Sequence, residues 1–344
     1  MTPSGRSHHV CYCVYQRVLH QLPWLLLLPP FLGLSACSSA PSPLNPASAR
    51  ADDLRWLWWV VIAAGVAVLA AVSTLLLWGV LRAPAPEEER QDHPFGTHLV
   101  WIGGIIIPLV ILGSVFGLSI ARMSGSGGST PALAIEVIGH QWWWEIRYPG
   151  SNFTTANEIH LPVGQRARVL VTSVDVIHGF WVPRLQGKID AIPGQTNAID
   201  LEADQPGDYR GECLVYCALQ HANMNFVVIA EPRDAFDEWL RSQAAVSSPT
   251  TDQQILRGRQ VFLSSACASC HTVAGTEANG TAGPNLTHVA SRQQLAAGTI
   301  PNTAETLASW VVDPQAIKPG NKMPSESFAT ADLQALLAFL GSLK

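Results

Sequence analysis

Two short stretches of this 344-residue chain concentrate side chains that hold metals or move electrons. The first is Cys213-Leu-Val-Tyr-Cys217-Ala-Leu-Gln-His221-Ala-Asn-Met224. Two thiols, an imidazole and a thioether so close together make a soft donor set, which suits copper rather than magnesium or calcium. A mononuclear blue-copper loop needs one cysteine; a second, four residues on, suggests that both thiolates bridge two copper ions. A second histidine must then come from elsewhere, and Asp175-Val-Ile-His178 ends a predicted strand where a loop can deliver it. A disulfide and a Cys2His2 zinc site are the alternatives. Neither requires Met224, the only methionine between residues 124 and 322, so copper is favoured.

The second stretch is Cys267-Ala-Ser-Cys270-His271, the C-x-x-C-H pattern of c-type haem attachment. Its spacing lets both thiols form thioethers with the haem vinyls while His271 reaches the iron. A redox or zinc cysteine pair is the alternative. The iron needs a sixth ligand, and Met323, in Gly320-Asn-Lys-Met323-Pro324, is the only methionine of this region; His288 is its only other histidine. Met323 is favoured, because Met/His ligation raises the potential to suit electron transfer. The chain has seven cysteines; Cys11 and Cys13 precede an expected cleavage point, and Cys37 has a reading of its own. No set is left over for a disulfide framework.

These side chains need frames to hold them. Around the first cluster, from Pro131 to about Glu231, the pattern is of short strands: Ala167, Val169 and Val171 alternate with Arg166 and Arg168. Pro162-Val163-Gly164, Pro193-Gly194 and Gln205-Pro206-Gly207 punctuate it at turn spacing, which suggests a Greek-key sandwich or barrel. Pro232 to about Ala245 predicts a short helix, and a polar linker over 246–254 follows. Around the second cluster the elements are helical. Asp252–Phe262 leads into the haem motif, Thr303 caps a helix to Val312, and Thr330 caps the last one. That last helix carries Leu333, Leu336, Leu337 and Leu340 at i, i+3, i+4, i+7.

Composition places both frames on a membrane. Hydrophobic residues make up 48% of the chain and charged ones only 14%, typical of a protein with spans in lipid. The runs Trp56–Leu81 and Leu99–Ile120 are uncharged and each long enough to cross a bilayer as a helix. Trp56, Trp58, Trp59 and Trp101 lie near their ends, where aromatic belts form. Ahead of them, Arg6 and Arg17, an apolar run from Leu22 to Leu34, and Leu34-Ser35-Ala36-Cys37 have the order of a secretory signal with a lipoprotein cleavage box. The expected division is therefore a signal over 1–36, a tether over 37–55 starting at a lipidated Cys37, and a two-helix hairpin over 56–128. The loop 82–98 has two arginines against four acids, so positive-inside counting does not orient the hairpin. The chemistry does: lipidation and haem attachment both belong outside the cytoplasm, which requires an even number of crossings. The expected location is a bacterial inner membrane, two-pass, with both centres on the outer face.

At the copper cluster the residues resemble a known family, the binuclear CuA subunit 2 of cytochrome c oxidase. Gly139-His140-Gln141-Trp142-Trp143-Trp144 is similar to its aromatic stretch. Asp175-Val-Ile-His178 with Val182-Pro183, and Lys188-Ile-Asp190-Ala-Ile-Pro193-Gly194, are similar to its first-histidine region. With the two spans, the resemblance covers about residues 51–231. It implies a cupredoxin-like barrel over 129–245 in which Cys213 and Cys217 bridge two coppers. His178 and Met224 would complete one ion, and His221 with the backbone carbonyl of Val215 the other. It further implies that Trp142 takes up the incoming electron. Lys-Met323-Pro and Gly283-Pro284-Asn285-Leu286 resemble class I cytochromes c, which implies an all-α cytochrome c domain over 255–344.

The sequence departs from the family pattern at two places. Many members have glutamate at the position of Val215, where it also helps to hold magnesium; valine still offers a carbonyl but no carboxylate. Many place a carboxylate near a proton-uptake route where this chain has His98, a residue type that titrates near neutrality. The resemblance implies a role in proton uptake for His98.

Together these features imply an internal relay: external donor, haem c, CuA, then the haem-copper subunit 1, with oxygen reduction and proton translocation shared with subunits 1 and 3. Residues 129–250 hold 14 acids against 8 bases, which disfavours nucleic acid and favours a basic cytochrome c-type donor. A copper assembly factor would lack Met224 and haem. A nitrous oxide reductase would need more than the 11 histidines present, and a quinol oxidase subunit would lack the copper ligands. A free-standing electron carrier is separated from an oxidase subunit by co-purification with a large haem-bearing membrane partner.

Overall fold

The chain runs from a membrane hairpin into a β-domain and then a helical domain, described here from a computed structural model over residues 42–82, 94–124, 133–151, 153–245 and 250–344. The expected signal with Cys11, Cys13 and Cys37 lies outside these residues, as do 83–93 of the hairpin loop and 246–249 of the linker. Helix α1 (Ala49–Leu81) begins well before the apolar run that predicts it. Ser48 caps it by accepting the Ala51 N–H, a bond that replaces one of the partners a first helical turn lacks. The same hydroxyl donates to Leu185 O at 2.5 Å, and Ala47 N donates to Arg184 O at 2.7 Å. The end of the expected tether is thus helix, anchored to the β-domain. The second span comprises α2 (Pro94–Trp101), a π turn over Ile102–Ile106, and α3 (Ile107–Ser124). Gly103 and Gly104 lie in that wide turn, a common kind of helix defect. Arg122 pairs with Asp53 at 2.5 Å and lies 4.5 Å from the Trp56 ring centre, joining the two spans at one end. Along both, leucines, valines and isoleucines stay exposed, the surface that lipid covers.

Ten strands follow: β1 (Leu133–His140), β2 (Trp143–Tyr148), β3 (Phe153–Ala156), β4 (Glu158–Pro162), β5 (Ala167–Ser173), β6 (His178–Trp181), β7 (Ile189–Ala191), β8 (Asn197–Leu201), β9 (Gly207–Cys213) and β10 (Asn225–Glu231). They form two sheets, ordered β3-β2-β1-β5-β8 and β4-β10-β9-β6-β7. The pairs β1–β5 and β4–β10 are parallel and the rest antiparallel, as long cross-sheet connections require. The alternation in β5 works as predicted, with Ala167, Val169 and Val171 buried and Arg168 turned out to Asp200. Gly164 and Gly194, the turn residues of the sequence pattern, adopt φ of 71° and 76°, which suits glycine. Trp144, Phe180 and Phe226 meet at the centre of the core, ring centres 4.6–5.7 Å apart. Helix α4 (Arg233–Ala244) closes one end by stacking Trp239 on His160.

The last domain contains α5 (Gln253–Ser264), α6 (Cys267–Cys270), a ribbon of β11 (Gln294–Leu295) and β12 (Ile300–Pro301), α7 (Ala304–Val312), α8 (Pro314–Ile317) and α9 (Thr330–Ser342). Asp252 caps α5, so the helix takes the final two residues of the expected linker. Thr303 caps α7 in a box with Thr306. Thr330 does not cap α9: it is the first helical residue, and Ala329 holds the cap position without a side-chain bond. The buried face of α9 is Ala335, Leu336, Phe339 and Leu340, while Leu333 and Leu337 sit at its flanks. Gly258 of α5 packs directly on Ala335 O, which brings the two helices close enough to wall a cavity.

Candidate functional site

The copper-type donors come from three pieces of backbone. His178 opens β6, Cys213 closes β9, and Cys217, His221 and Met224 lie on the loop from β9 to β10. Pairing of β9 with β10 closes this loop at its base, with Cys213 N donating to Met224 O at 3.1 Å. Leu214 N donates to Gly179 O at 2.9 Å, which pins the loop to β6. The two sulfurs, Cys213 Sγ and Cys217 Sγ, are 3.7 Å apart, too far for a disulfide. Cys213 Sγ is 4.0 Å from His178 Nδ1 and 3.3 Å from Val215 O. Cys217 Sγ is 3.7 Å from His221 Nδ1 and 3.8 Å from Met224 Sδ. All six sequence-derived donors therefore converge. His178 and Met224 are fully buried, and His221 is half-buried at the rim.

The thiols are electrostatically coupled. Hydrogen bonding to Cys217, with help from His178, holds Cys213 well below the ordinary thiol range despite its burial. The negative sulfur that results pushes Cys217 upward. One proton leaves easily and the second resists, a pair that cations would stabilise as two thiolates. For His178, burial acts to lower the pKa, but Cys213 and Asp175 outweigh it and the net shift is upward. Asp175 Oδ1 lies 2.9 Å from His178 Nε2, so the ring is oriented with Nδ1 toward the sulfurs. Asp175 itself is held below its usual range: His178 and the N–H groups of Val176 and Gln141 outweigh its burial. Gly139 makes room for the imidazole, since a Cβ there would stand 2.7 Å from His178 Cδ2.

The haem-type residues surround an apolar cavity walled by Phe262, Leu307, Val311, Phe328, Leu336 and Leu340. Cys267, Cys270 and His271 stand at one side of it, and Met323 also lines it. His271 Nδ1 is 2.7 Å from Pro284 O, and burial lowers the pKa of the ring, with the Pro284 bond opposing. Gly283 leaves space for this ring; a Cβ there would come 2.5 Å from His271 Cε1. The Met323 loop is tied down by Asn321 Oδ1, which accepts from Met323 N at 2.7 Å, and by Gln315 Nε2, which donates to Met323 O at 2.7 Å. His288 is directed elsewhere, its Nδ1 2.8 Å from Lys344 O and its Nε2 3.1 Å from Gln243 O.

The two sites share a wall. Gln141, Trp142 and Trp143 of the β-domain line the helical domain's cavity. Trp142 is only 9% exposed, and its Nε1–H donates to Cys217 O at 2.7 Å. His98 is not part of this assembly; it sits exposed on α2 in the hairpin. Two residues that sequence reasoning does not single out also belong here, Gln220 and Lys318, and Asp175, read in the sequence only as the start of the His178 motif, joins them. Asp175 was legible as a carboxylate three residues from a ligand histidine. For Lys318, the only signal is a cation before Pro319-Gly320 in an otherwise unremarkable loop.

Known proteins carry the same features. Residues 150–231 match the family described as cytochrome C oxidase subunit II, periplasmic domain, and residues 255–344 match cytochrome c. The cytochrome c oxidase subunit 2 of Alkalihalophilus pseudofirmus is 36% identical over 321 residues, covering 89% of this chain and 91% of that one. The chain belongs to the cytochrome c oxidase subunit 2 family. The Bacillus subtilis member is 28% identical over 345 residues, covering 93% of this chain and 96% of its own length. Among solved structures, the periplasmic domain of subunit II of cytochrome oxidase from Bradyrhizobium japonicum is 31% identical, with a TM-score of 0.33, covering 33% of this chain and 95% of that one. For a subunit 2 with a cytochrome c domain, copper belongs in the β-domain and haem in the helical one, and the role is electron transfer within an oxidase. The hairpin and the periplasmic-domain match make it a membrane protein whose β-domain faces the periplasm.

Proposed function

We propose that this subunit passes electrons from a cytochrome c-type donor through its own covalent haem c and a binuclear CuA centre to the haem-copper subunit 1. The observation that carries the reading is Trp142, which bonds Cys217 on one side and lines the haem cavity on the other. When bound, the copper pair and the haem supply reversible one-electron chemistry at the two ends of that contact.

The residues fit these groups. Each copper-site sulfur touches one donor from each expected ion: Cys213 meets His178 and Val215 O, and Cys217 meets Met224 and His221. That is the arrangement two bridging thiolates need. With no carboxylate at Val215, the carbonyl is the only donor this position offers, so no magnesium role is assigned to it. On the haem side, Cys267 and Cys270 would hold the haem through thioethers, and His271 and Met323 would ligate its iron. His271 donates its Nδ1–H to Pro284, which fixes the tautomer with Nε2 as the ligand atom. Arg292 lines the cavity while buried, and no described residue partners its Nε; it suits a haem propionate. Trp142 and the Cys217 carbonyl then form a hydrogen-bonded route between the centres.

Val174, Val176, Ile177, Leu214 and Tyr216 leave an exposed apolar rim beside the copper loop, suited to contact with subunit 1. Subunit 3 completes the assembly, in a bacterial inner membrane with Cys37 lipidated outside. His98, on the hairpin, serves proton uptake. Electron paramagnetic resonance of the oxidised holoprotein tests the core of this reading. One unpaired electron shared by two equivalent copper nuclei gives about seven hyperfine lines. Seven lines, lost in Cys217→Ser, support the bridged pair, whereas four lines refute it.

A further inference from the structure

A polar linker joins the haem domain to the copper domain, and the structure seats the one on the other, with one side chain central to the contact. Lys318 follows α8 and leads into the loop that ends at Met323. It is 3% exposed, and among the described residues its Nζ bonds to backbone carbonyls and to no carboxylate. Its Nζ donates to Asn223 O at 2.6 Å, Trp142 O at 2.8 Å and Ala296 O at 3.0 Å. An ammonium has three N–H donors, and here each meets a carbonyl from a different segment. Two belong to the copper domain, from the β1–β2 turn and the copper loop; the third belongs to the turn between β11 and β12.

The receiving turn is shaped for this contact. Ala296 and Ala297 adopt φ of 53° and 57°, a left-handed conformation unfavourable for alanine. In return the Ala296 carbonyl meets Lys318, and the Ala297 carbonyl accepts Asn225 N at 2.9 Å across the domain boundary. Beside Lys318, Gln220 Nε2 donates to Pro319 O at 2.6 Å, and Gly320 packs on Leu219. Lys322 Nζ lies 3.7 Å from Asp175, the carboxylate that holds His178. From Lys318 to Lys322, the segment leading to Met323 thus rests on the loop carrying the copper ligands.

We infer that Lys318 is a positioning residue for electron transfer: it locks the methionine loop of the haem domain onto the copper loop over Trp142, so that haem and copper exchange electrons across a fixed contact. This rests on the two-centre reading proposed above. A buried cation without a carboxylate is expensive unless its hydrogen bonds are complete, so the lock holds only when the two domains meet in this one register. Burial brings the Lys318 pKa down to about 7, with the neighbouring Cys217 sulfur opposing the fall.

The test uses the assembled oxidase. A photoreductant delivers one electron to the haem c, and its passage to copper is followed by absorbance in the wild type and in Lys318→Met. The lock predicts that the rate falls at least about tenfold, equal to about 1.4 kcal/mol in the docked population. It also predicts that the rate becomes dependent on solvent viscosity, while the haem spectrum, the copper resonance and both reduction potentials stay as in the wild type. A purely structural residue would disturb those spectra or potentials instead. Unchanged transfer with intact spectra overturns the inference, and so does a loss confined to damaged centres. Should Lys318→Met not assemble, Gln220→Ala removes the neighbouring hold without emptying the buried site and must give a smaller slowing of the same kind; no slowing there overturns the lock. Absence of the seven-line resonance in the wild type would instead sink the two-centre reading and leave the domain contact standing, to be judged by the accessibility of Trp142 to quenchers in the two forms.

Discussion

Gly139→Ala should disable the copper site and leave the haem site intact. The added Cβ would stand 2.7 Å from His178 Cδ2 and 3.1 Å from Cγ. Carbon atoms in ordinary contact are about 3.5 Å apart or more, so the ring must give way by about 0.8 Å. It has no direction in which to yield. His178 is fully buried, Asp175 holds its Nε2 at 2.9 Å, and Trp144 meets its edge at a ring-centre distance of 5.7 Å. Metal–ligand distances tolerate about 0.2 Å, several times less than the forced shift. Overpacking alone costs about 1–3 kcal/mol.

The assays are copper stoichiometry, the copper resonance and the urea-unfolding midpoint of the purified protein, with the haem absorption band as internal control. The expected result is substoichiometric copper or an altered hyperfine pattern, a lowered midpoint, and a normal haem spectrum. Full copper occupancy with an unchanged resonance would show that Gly139 does not set the position of His178, and the argument from close approach would fail.

Gly283→Ala is the mirror experiment: its Cβ would come 2.5 Å from His271 Cε1, so low-spin haem absorption should be lost while the copper resonance persists. Asp175→Asn removes the charge behind His178 and should weaken copper binding by about 10–100-fold, read by competition with a chelator; equal affinity would remove Asp175 from the site. Burial raises the carboxyl pKa of Glu158, outweighing Arg292 and the Gln293 N–H. A raised folded-state pKa means that its contribution is fully present below the unfolded value and fades as pH rises through the folded one. Stability should therefore decline with pH just above the ordinary carboxylate range, and Glu158→Gln should flatten that decline in denaturant titrations. His98→Ala should slow proton uptake by the assembled oxidase, and unchanged uptake would exclude His98 from the route.

Much of the site is legible in the sequence because its chemistry is local. Cys213 to Met224 is one loop, Cys267 to His271 one turn of helix, and donor types at fixed spacing identify what they can hold. His178 needed one more step and was placed only in part: the sequence puts it at the end of a strand, whereas β5 ends at Ser173 and His178 opens β6, whose antiparallel pairing with β9 brings the imidazole to the thiols. The strand alternation of β5 and the cap of α7 were equally local. The start of α1 was not: nothing in Ser48–Arg55 is apolar enough to signal a span, and the helix begins there because Ser48 and Ala47 bond to Leu185 and Arg184, far along the chain. Thr330 failed as a cap because its neighbour Ala329 already takes the extended conformation, and a threonine can enter a helix as readily as cap it. Lys318 was invisible for the same reason as α1. Its three partners are backbone carbonyls at residues 142, 223 and 296, and carbonyls leave no trace in residue identity.

Fusing a haem domain to this fold changes what Trp142 can be. On an isolated copper domain the face around Trp142 would meet solvent, and a mobile donor could dock on it. Here the ring is 9% exposed and forms part of the haem cavity's own wall. Gln293 reinforces the cover, its N–H donating to Glu158 Oε1 at 2.6 Å and its Nε2 to Asp208 Oδ2 at 3.0 Å. The acidic surface expected to receive a donor is therefore partly spent on holding the chain's own cytochrome domain. On the proposed route an external cytochrome meets the helical domain first; residues 251–344 hold 6 acids and 6 bases, so long-range attraction to it is weaker than the acidity of the copper domain alone implies. The encounter becomes less dependent on charge, and the transfer that follows becomes a fixed, intramolecular step. Ionic strength should accordingly affect donor oxidation only weakly and haem-to-copper transfer not at all. A steep salt dependence of the second step would mean that the domain contact opens during turnover.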